Sequence, residues 1–250
     1  MTRSIAEALA GNTYPGRGIV AGMTPGGAMA LAYFIMGRSA NSRNRVLVEE
    51  DGVIFTRPVD ASLVSDPSLI IYAVLRTAGD VTALTNGDQT DTVINALGYG
   101  LAPFSDRQKS ANPLLNDVSA FEDALRTRSF EPDAPNFTSR ISALIQPGRY
   151  VLSQLRELHN TTLRAFWEYE AVPGVAHLIH TYAGDGDPLP AFTGEPAEIT
   201  IGDDQAAWTD ECWAALDASN RISLMTRFIP ASGEPVTRIV NRFGTGKDKQ

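Results

Sequence analysis

Two stretches of this chain are apolar at consecutive positions rather than at every second one: Leu31–Met36 and Leu69–Leu75. A strand with one wet face alternates apolar and polar side chains, whereas a strand apolar at every position must be covered on both sides. Such strands require stacked layers and exclude a single open sheet. Turn signals place them in antiparallel hairpins. Thr24-Pro25-Gly26-Gly27 joins Gly18–Met23 to Ala28–Met36, Glu50-Asp51-Gly52 joins Val46–Glu49 to Val53–Arg57, and Ala78-Gly79-Asp80 joins Leu69–Thr77 to Val81–Thr85. Further strands are predicted at Ile141–Ile145, Tyr150–Leu158, Leu163–Glu170, Ala176–Tyr182, Ala197–Ile201, Arg221–Ile229 and Pro235–Arg242.

Helical patterns interrupt these hairpins. A short helix fits residues 3–10, and a second fits Gln89–Leu97 with Asp88 near its N-cap. A third runs from Asp117 to about Arg128 with Val118, Phe121, Ala124 and Leu125 on one face, and the last covers Asp203–Ala218. Leu101–Asn116, rich in Pro, Asn and Ser, reads as loop, and Gly244–Gln250 as a frayed tail. No solenoid-period repeat and no linker divides the chain, so residues 1–250 read as one domain. Antiparallel sheets covered by a few long helices make the fold class α+β.

A formal charge of −8 argues against non-specific binding to nucleic acid or anionic membrane. No run approaches the ~20 apolar residues of a membrane span, and no secretory h-region opens the chain. Cys212 is the single cysteine and is placed in the core of the last helix, so the expected location is cytoplasmic. Metal motifs are missing: there is no HExxH or CxxC, and the histidines are His159, His177 and His180.

Against that acidic background stands one basic concentration. Ala28–Met36 delivers its end into Gly37-Arg38-Ser39-Ala40-Asn41-Ser42-Arg43-Asn44-Arg45. Guanidinium forks match phosphate and carboxylate oxygens two at a time, so the cluster reads as an anion site rather than a solubility loop. Arg17, in Tyr14-Pro15-Gly16-Arg17-Gly18, is flanked by glycines that would let backbone approach a ligand, although taken alone the motif reads more readily as a turn with an incidental Arg. Tyr72 is either a strand phenol bonded locally or one aimed into a pocket, where it could donate to a developing oxyanion. Thr85-Asn86-Gly87-Asp88-Gln89-Thr90-Asp91 sets polar groups at a helix N-terminus. Glu131-Pro132-Asp133-Ala134-Pro135-Asn136-Phe137-Thr138-Ser139-Arg140 holds acid, amide, hydroxyl and Arg in a proline-stiffened loop. His180-Thr181-Tyr182-Ala183-Gly184-Asp185-Gly186-Asp187-Pro188 ends another strand in a polar turn, though a lone His is more often structural.

In order and spacing, the motifs at 14–18, 36–45, 85–91, 136–141 and 180–190 resemble the archaeal-type inosine monophosphate (IMP) cyclohydrolase family and its bacterial relatives. The resemblance spans roughly residues 14–195, with the C-terminal third matching in outline. It implies a four-layer αββα sandwich like that of N-terminal-nucleophile hydrolases, but without a terminal nucleophile. Loss of Met1 would expose Thr2, which lies too far before the first strand to serve. The implied activity is closure of 5-formamidoimidazole-4-carboxamide ribotide to IMP with loss of water. The substrate is then a purine ribonucleotide, and because both reacting groups belong to one molecule no cofactor or metal is called for.

On that reading Tyr72 polarises the formyl oxygen or relays its proton, and Glu131 is the acid/base with Asp133 its substitute. Arg17, Arg38 and Arg45, helped by Ser39 and Asn41, hold phosphate and ribose. Asn86, Asp88, Asn136, Arg140 and His180 complete the substrate contacts, with Asn86, Asn136 and Arg140 orienting the base amides. Two rival readings are an amide hydrolase on the same fold, for which no nucleophile stands at a strand start, and a purine-nucleotide-binding regulatory protein without turnover. Exposed strand edges also leave room for a homo-oligomer.

Overall fold

A computed structural model describes residues 3–64, 71–98 and 117–244. The expected loop at 101–116, the tail from 245 and the start of the strand expected at Leu69 lie outside these residues. The elements in chain order are α1 (Ile5–Ala8), β1 (Arg17–Met23), β2 (Met29–Met36), α2 (Ala40–Arg43), β3 (Val46–Glu50), β4 (Val53–Arg57), β5 (Ala73–Ala78), β6 (Val81–Thr85), α3 (Gln89–Ala96), α4 (Asp117–Arg126), β7 (Arg140–Gln146), β8 (Arg149–Leu158), β9 (Thr161–Glu170), β10 (Val175–His180), β11 (Ala197–Thr200), α5 (Gln205–Ala215), β12 (Arg221–Ile229) and β13 (Val236–Asn241). A 3-10 turn at Ala61–Leu63 follows β4.

The strands form two antiparallel sheets. One has the order β11-β10-β1-β2-β12-β13, the other β3-β4-β5-β6-β7-β8-β9. β2 is central to the first: Tyr33 pairs with Ile19 of β1 on one side and Met225 of β12 on the other. Its eight residues are all buried, as its unbroken apolar run demands. Met29, Leu31, Tyr33 and Ile35 pack against Leu47, Ile54, Val74, Leu84, Ile141 and Leu152 of the second sheet, forming the inter-sheet core. Ala30, Ala32, Phe34 and Met36 point the other way, onto Ile5 of α1 and Trp208 and Cys212 of α5. A third core joins Ala83, Leu144 and Val151 of the second sheet to Val93 and Ile94 of α3 and Phe121 and Leu125 of α4. Each wholly buried Leu, Ile or Phe stabilises the chain by roughly 2 kcal/mol relative to exposure, so β2 is worth most where it is covered twice.

The two sheets are also stitched by side chains. Asn241, at the end of β13, accepts from Leu47 N at 2.9 Å and donates to Leu47 O at 2.9 Å, imitating one ladder step between sheets. Tyr150 of β8 and His177 of β10 meet at 2.6 Å on the opposite flank. Cys212 is buried on α5 as expected, and burial pushes its thiol pKa up, which suits packing rather than nucleophilic chemistry. Among the described residues no helix is long and apolar enough to cross a membrane.

Candidate functional site

The Arg-rich segment folds as a single capped turn that aims its two ends the same way. Ser39 caps α2, exchanging hydrogen bonds with Ser42. Arg43 Nε donates to Gly37 O at 3.1 Å, and Asn44 exchanges bonds with the backbone of Asp60. With those polar groups spent on the turn, Arg38 and Arg45 are left to line one cavity together with Arg17 from β1. This cavity measures about 550 Å³, within the range of small-molecule sites. Ser39, Asn41, Glu131, Asp133 and Asn136 also line it, so eight of the residues named from sequence share one space.

The three arginines are held differently. Arg17 is buried; it donates to Glu131 Oε2 at 2.9 Å and to Asn86 O at 3.2 Å. Burial works against its charge, but the Glu131 carboxylate, with the phenols of Tyr72, Tyr33 and Tyr182, holds its pKa well above the usual value. Arg38 is half exposed, pairs with Asp185, donates to Gly186 O at 3.1 Å and lies 4.9 Å over the Tyr14 ring. Among the described residues Arg45 has no ion pair, and its buried Nε has no hydrogen-bond partner. It is the guanidinium with most capacity left for an incoming anion.

The Glu131–Arg140 loop is locked from within. Glu131 N donates to Thr138 O at 2.8 Å, and Asp133 accepts from Thr138 N at 2.7 Å and from the Thr138 hydroxyl. Since that hydroxyl gives its proton to the carboxylate, the Tyr182 phenol must donate to Thr138 Oγ1, making a Tyr182–Thr138–Asp133 chain along the cavity wall. Burial, opposed by Arg17, pushes Tyr182 up to about 12, so it stays protonated. Asn136 Oδ1 accepts from Leu189 N at 3.0 Å.

Five of the residues named from sequence do not line the cavity. Asn86 is fully buried as a strut between β6 and β7: its Oδ1 accepts from Ile141 N at 2.9 Å and Gln89 Nε2 at 3.0 Å, and its Nδ2 donates to Ser139 O at 2.9 Å. Asp88 stands at the α3 N-cap position but makes no capping bond; its carboxylate pairs with Arg128 and with Arg140 at 2.8 Å. Burial would raise the Asp88 pKa, but those two arginines bring it down overall. Arg140 also donates to Gln89 Oε1 at 2.7 Å. This cluster sits behind Glu131, because a Cβ on Gly87 would come 2.6 Å from Arg140 Nη1 and 3.6 Å from Glu131 Oε1. His180 packs against Phe192 with the rings tilted by 46° and donates from Nδ1 to Tyr182 O at 2.9 Å; burial lowers its pKa to about 4, so it is neutral.

Tyr72 is buried behind the cavity wall, beside Arg17. Its phenol is 3.3 Å from that of Tyr33, and both act electrostatically on Arg17, which does reach the cavity. The glycines flanking Arg17 are demanded by packing, and Gly16 also puts its backbone on the cavity wall. Gly16 has φ +75°, and a Cβ there would strike Thr181 and Tyr182; one on Gly18 would strike the Phe34 ring.

Sequence reading missed Tyr14, Tyr182, Thr138 and Tyr33. Tyr14 and Tyr182 flank polar turns inside motifs noticed for their Arg and His, and their rings stack at 6.0 Å across the cavity wall. Tyr33 carries the same signal as Tyr72, a hydroxyl inside an otherwise apolar strand. Among the described residues, no three His, Cys, Asp or Glu side chains cluster to hold a metal ion.

Comparison with known proteins covers most of the chain, the cavity residues included. The sequence model of the family described as IMP cyclohydrolase-like protein matches residues 14–233. The IMP cyclohydrolase of Methanopyrus kandleri is 33% identical over 212 residues, covering 79% of this chain and 98% of that protein.

Proposed function

The chain belongs to the IMP cyclohydrolase-like family, and we propose that it performs the ring closure for which its relative is named. The substrate is 5-formamidoimidazole-4-carboxamide ribotide and the products are IMP and water. The observation that carries this reading is the convergence of Arg17, Arg38 and Arg45, from separate parts of the chain, on one cavity that also holds Glu131.

Arg45 and Arg38 bind the phosphate, with Ser39 and Asn41 reaching phosphate or ribose oxygens. Asn136 keeps its Nδ2 free for the base amides, since its Oδ1 is committed to Leu189. With the phosphate fixed at one end, the formamide and carboxamide are pressed into attack geometry, and much of the acceleration is positional.

The carboxamide nitrogen attacks the formyl carbon. As the C–N bond forms, that nitrogen loses a proton to Glu131 while the formyl π pair moves onto oxygen and takes a proton relayed from Tyr72 through one water, since Tyr72 stands behind the cavity wall. A free amide N–H is far too weak an acid for prior deprotonation, so these events accompany one another. The hydroxyl of the adduct then departs as water with the proton from Glu131, and the former formamide N–H returns a proton to Tyr72 through the same relay as the C=N bond forms. Atoms balance without a co-reactant. Glu131 suits this work better than Asp133, whose two oxygens are occupied by Thr138.

The same reading makes residues 1–250 one cytoplasmic domain, arranged as a four-layer αββα sandwich of the N-terminal-nucleophile hydrolase type. The three cores described above support that layering. The test is direct: purified protein given the formylated ribotide should raise IMP absorbance. Binding without conversion would leave a nucleotide-binding protein, and release of formate would mark a hydrolase.

A further inference from the structure

We infer that Tyr33 is a positioning residue for this reaction, fixing and polarising the Tyr72 phenol from inside the protein; the inference rests on the ring-closing reading above. Tyr33 is wholly buried on β2, between Ile19 and Met225, facing the inter-sheet core. A hydroxyl left unbonded in such a core costs about 1–3 kcal/mol, so an apolar ring would be the cheaper occupant. Among the described residues its hydrogen-bond partner is the Tyr72 hydroxyl, 3.3 Å away on the other side of that core.

Two hydroxyls that share one hydrogen bond have one proton to spare. Tyr33 is wholly enclosed, whereas Tyr72 keeps 6% of its surface open beside Arg17. The Tyr72 proton is therefore the one able to find an acceptor outside the pair, and the Tyr33 proton goes to Tyr72 Oη. Arg17 acts on both phenols and Arg45 acts on Tyr33, and both arginines line the cavity. A donated bond from Tyr33 stabilises the negative charge that grows on Tyr72 Oη as its proton moves to the formyl oxygen. In a low-dielectric core that help is strengthened rather than screened. Tyr33 touches no substrate and acts through Tyr72.

Tyr33→Phe keeps the ring and removes only the hydroxyl. Its kcat should fall about tenfold, the worth of one hydrogen bond to a charging group, with KM within about twofold of wild type. In a Tyr72→Phe background the same change should cost nothing further, because the group it serves is gone. A wild-type kcat in Tyr33→Phe, a loss confined to KM, or an equal loss in the Tyr72→Phe background each overturns the inference. Should Tyr33→Phe fail to fold, or Tyr72→Phe turn over too slowly to measure, 3,5-difluorotyrosine at position 33 decides. It keeps ring and hydroxyl but is more acidic, so the alkaline limb of kcat should move to lower pH; an unmoved limb overturns the inference. Wild-type protein that makes no IMP sinks the ring-closing reading and Tyr33's role with it. Wild-type turnover with an unaltered Tyr33→Phe sinks Tyr33's role alone.

Discussion

Arg17 and Arg45 line the same cavity but respond to mutation in opposite ways, because one is a paired charge and the other is open. Removing Arg17 strands the buried Glu131 carboxylate, so any loss of activity would be entangled with loss of stability. Among the described residues Arg45 has no ion pair to leave behind. Arg45→Gln should therefore raise KM by about ten- to a hundredfold, the worth of a charge-assisted bond to phosphate. The kcat and the urea midpoint should stay close to wild type. Steady-state kinetics beside an unfolding curve checks both halves, and an unchanged KM removes Arg45 from phosphate binding. His180 belongs to stability instead. It titrates at about 4 when folded and near 6.5 when unfolded, so between those values the unfolded chain binds the extra proton. Its contribution is complete above about pH 6.5 and drains away as pH falls toward 4, by up to about 3 kcal/mol in total. Urea unfolding at a series of pH values should show that slope, and His180→Gln should flatten it.

The strands and helices were largely legible in the chain because hydrophobic period and turn residues act locally. The hairpins β1–β2, β3–β4 and β12–β13 fall within a residue or two of the sequence expectation, as do α3 and β7. What sequence could not supply is which end of an element a polar side chain serves. Asn86 and Arg140 carry chemistry suited to a nucleotide, yet Asn86 is taken up by the junction of β6 with β7 and Arg140 bonds Asp88 and Gln89 at the start of α3. The single turn of α2 was also hidden, since a segment of Arg, Asn and Ser has no apolar face to give a period. Asn86→Ala tests the strut directly. It would orphan Ile141 N–H and Ser139 C=O inside the fold, costing about 3 kcal/mol. Because Asn86 O still holds Arg17 through the backbone, KM should move far less than the urea midpoint. A large KM effect with unchanged stability would return Asn86 to the list of substrate contacts.

Taken as a whole, the molecule is acidic, with 29 Asp and Glu against 21 Lys and Arg, and gathers three guanidinium groups into one concave place. The arginines were readable in sequence as a local excess. Their convergence was not, because it depends on β1 and β2 lying side by side and on α2 turning Arg45 back beside Arg38. An anion approaching from solvent therefore meets net repulsion at long range and attraction only near the cavity mouth. Arg38 sits at that mouth, and its side chain is 38% exposed. Salt acts on the two contributions in opposite directions: it screens the distant repulsion and weakens the near attraction by mass-action competition of anions for the arginines. The Debye length at physiological salt is about 8 Å, shorter than the reach of the overall charge but comparable to the depth of a site this size. Chloride should thus change KM only mildly. Sulfate or inorganic phosphate, which match the guanidinium forks, should raise KM as competitive inhibitors at equal ionic strength and leave kcat unchanged. Inhibition that follows ionic strength rather than the identity of the anion would mean that general charge, not a built phosphate pocket, draws the nucleotide in.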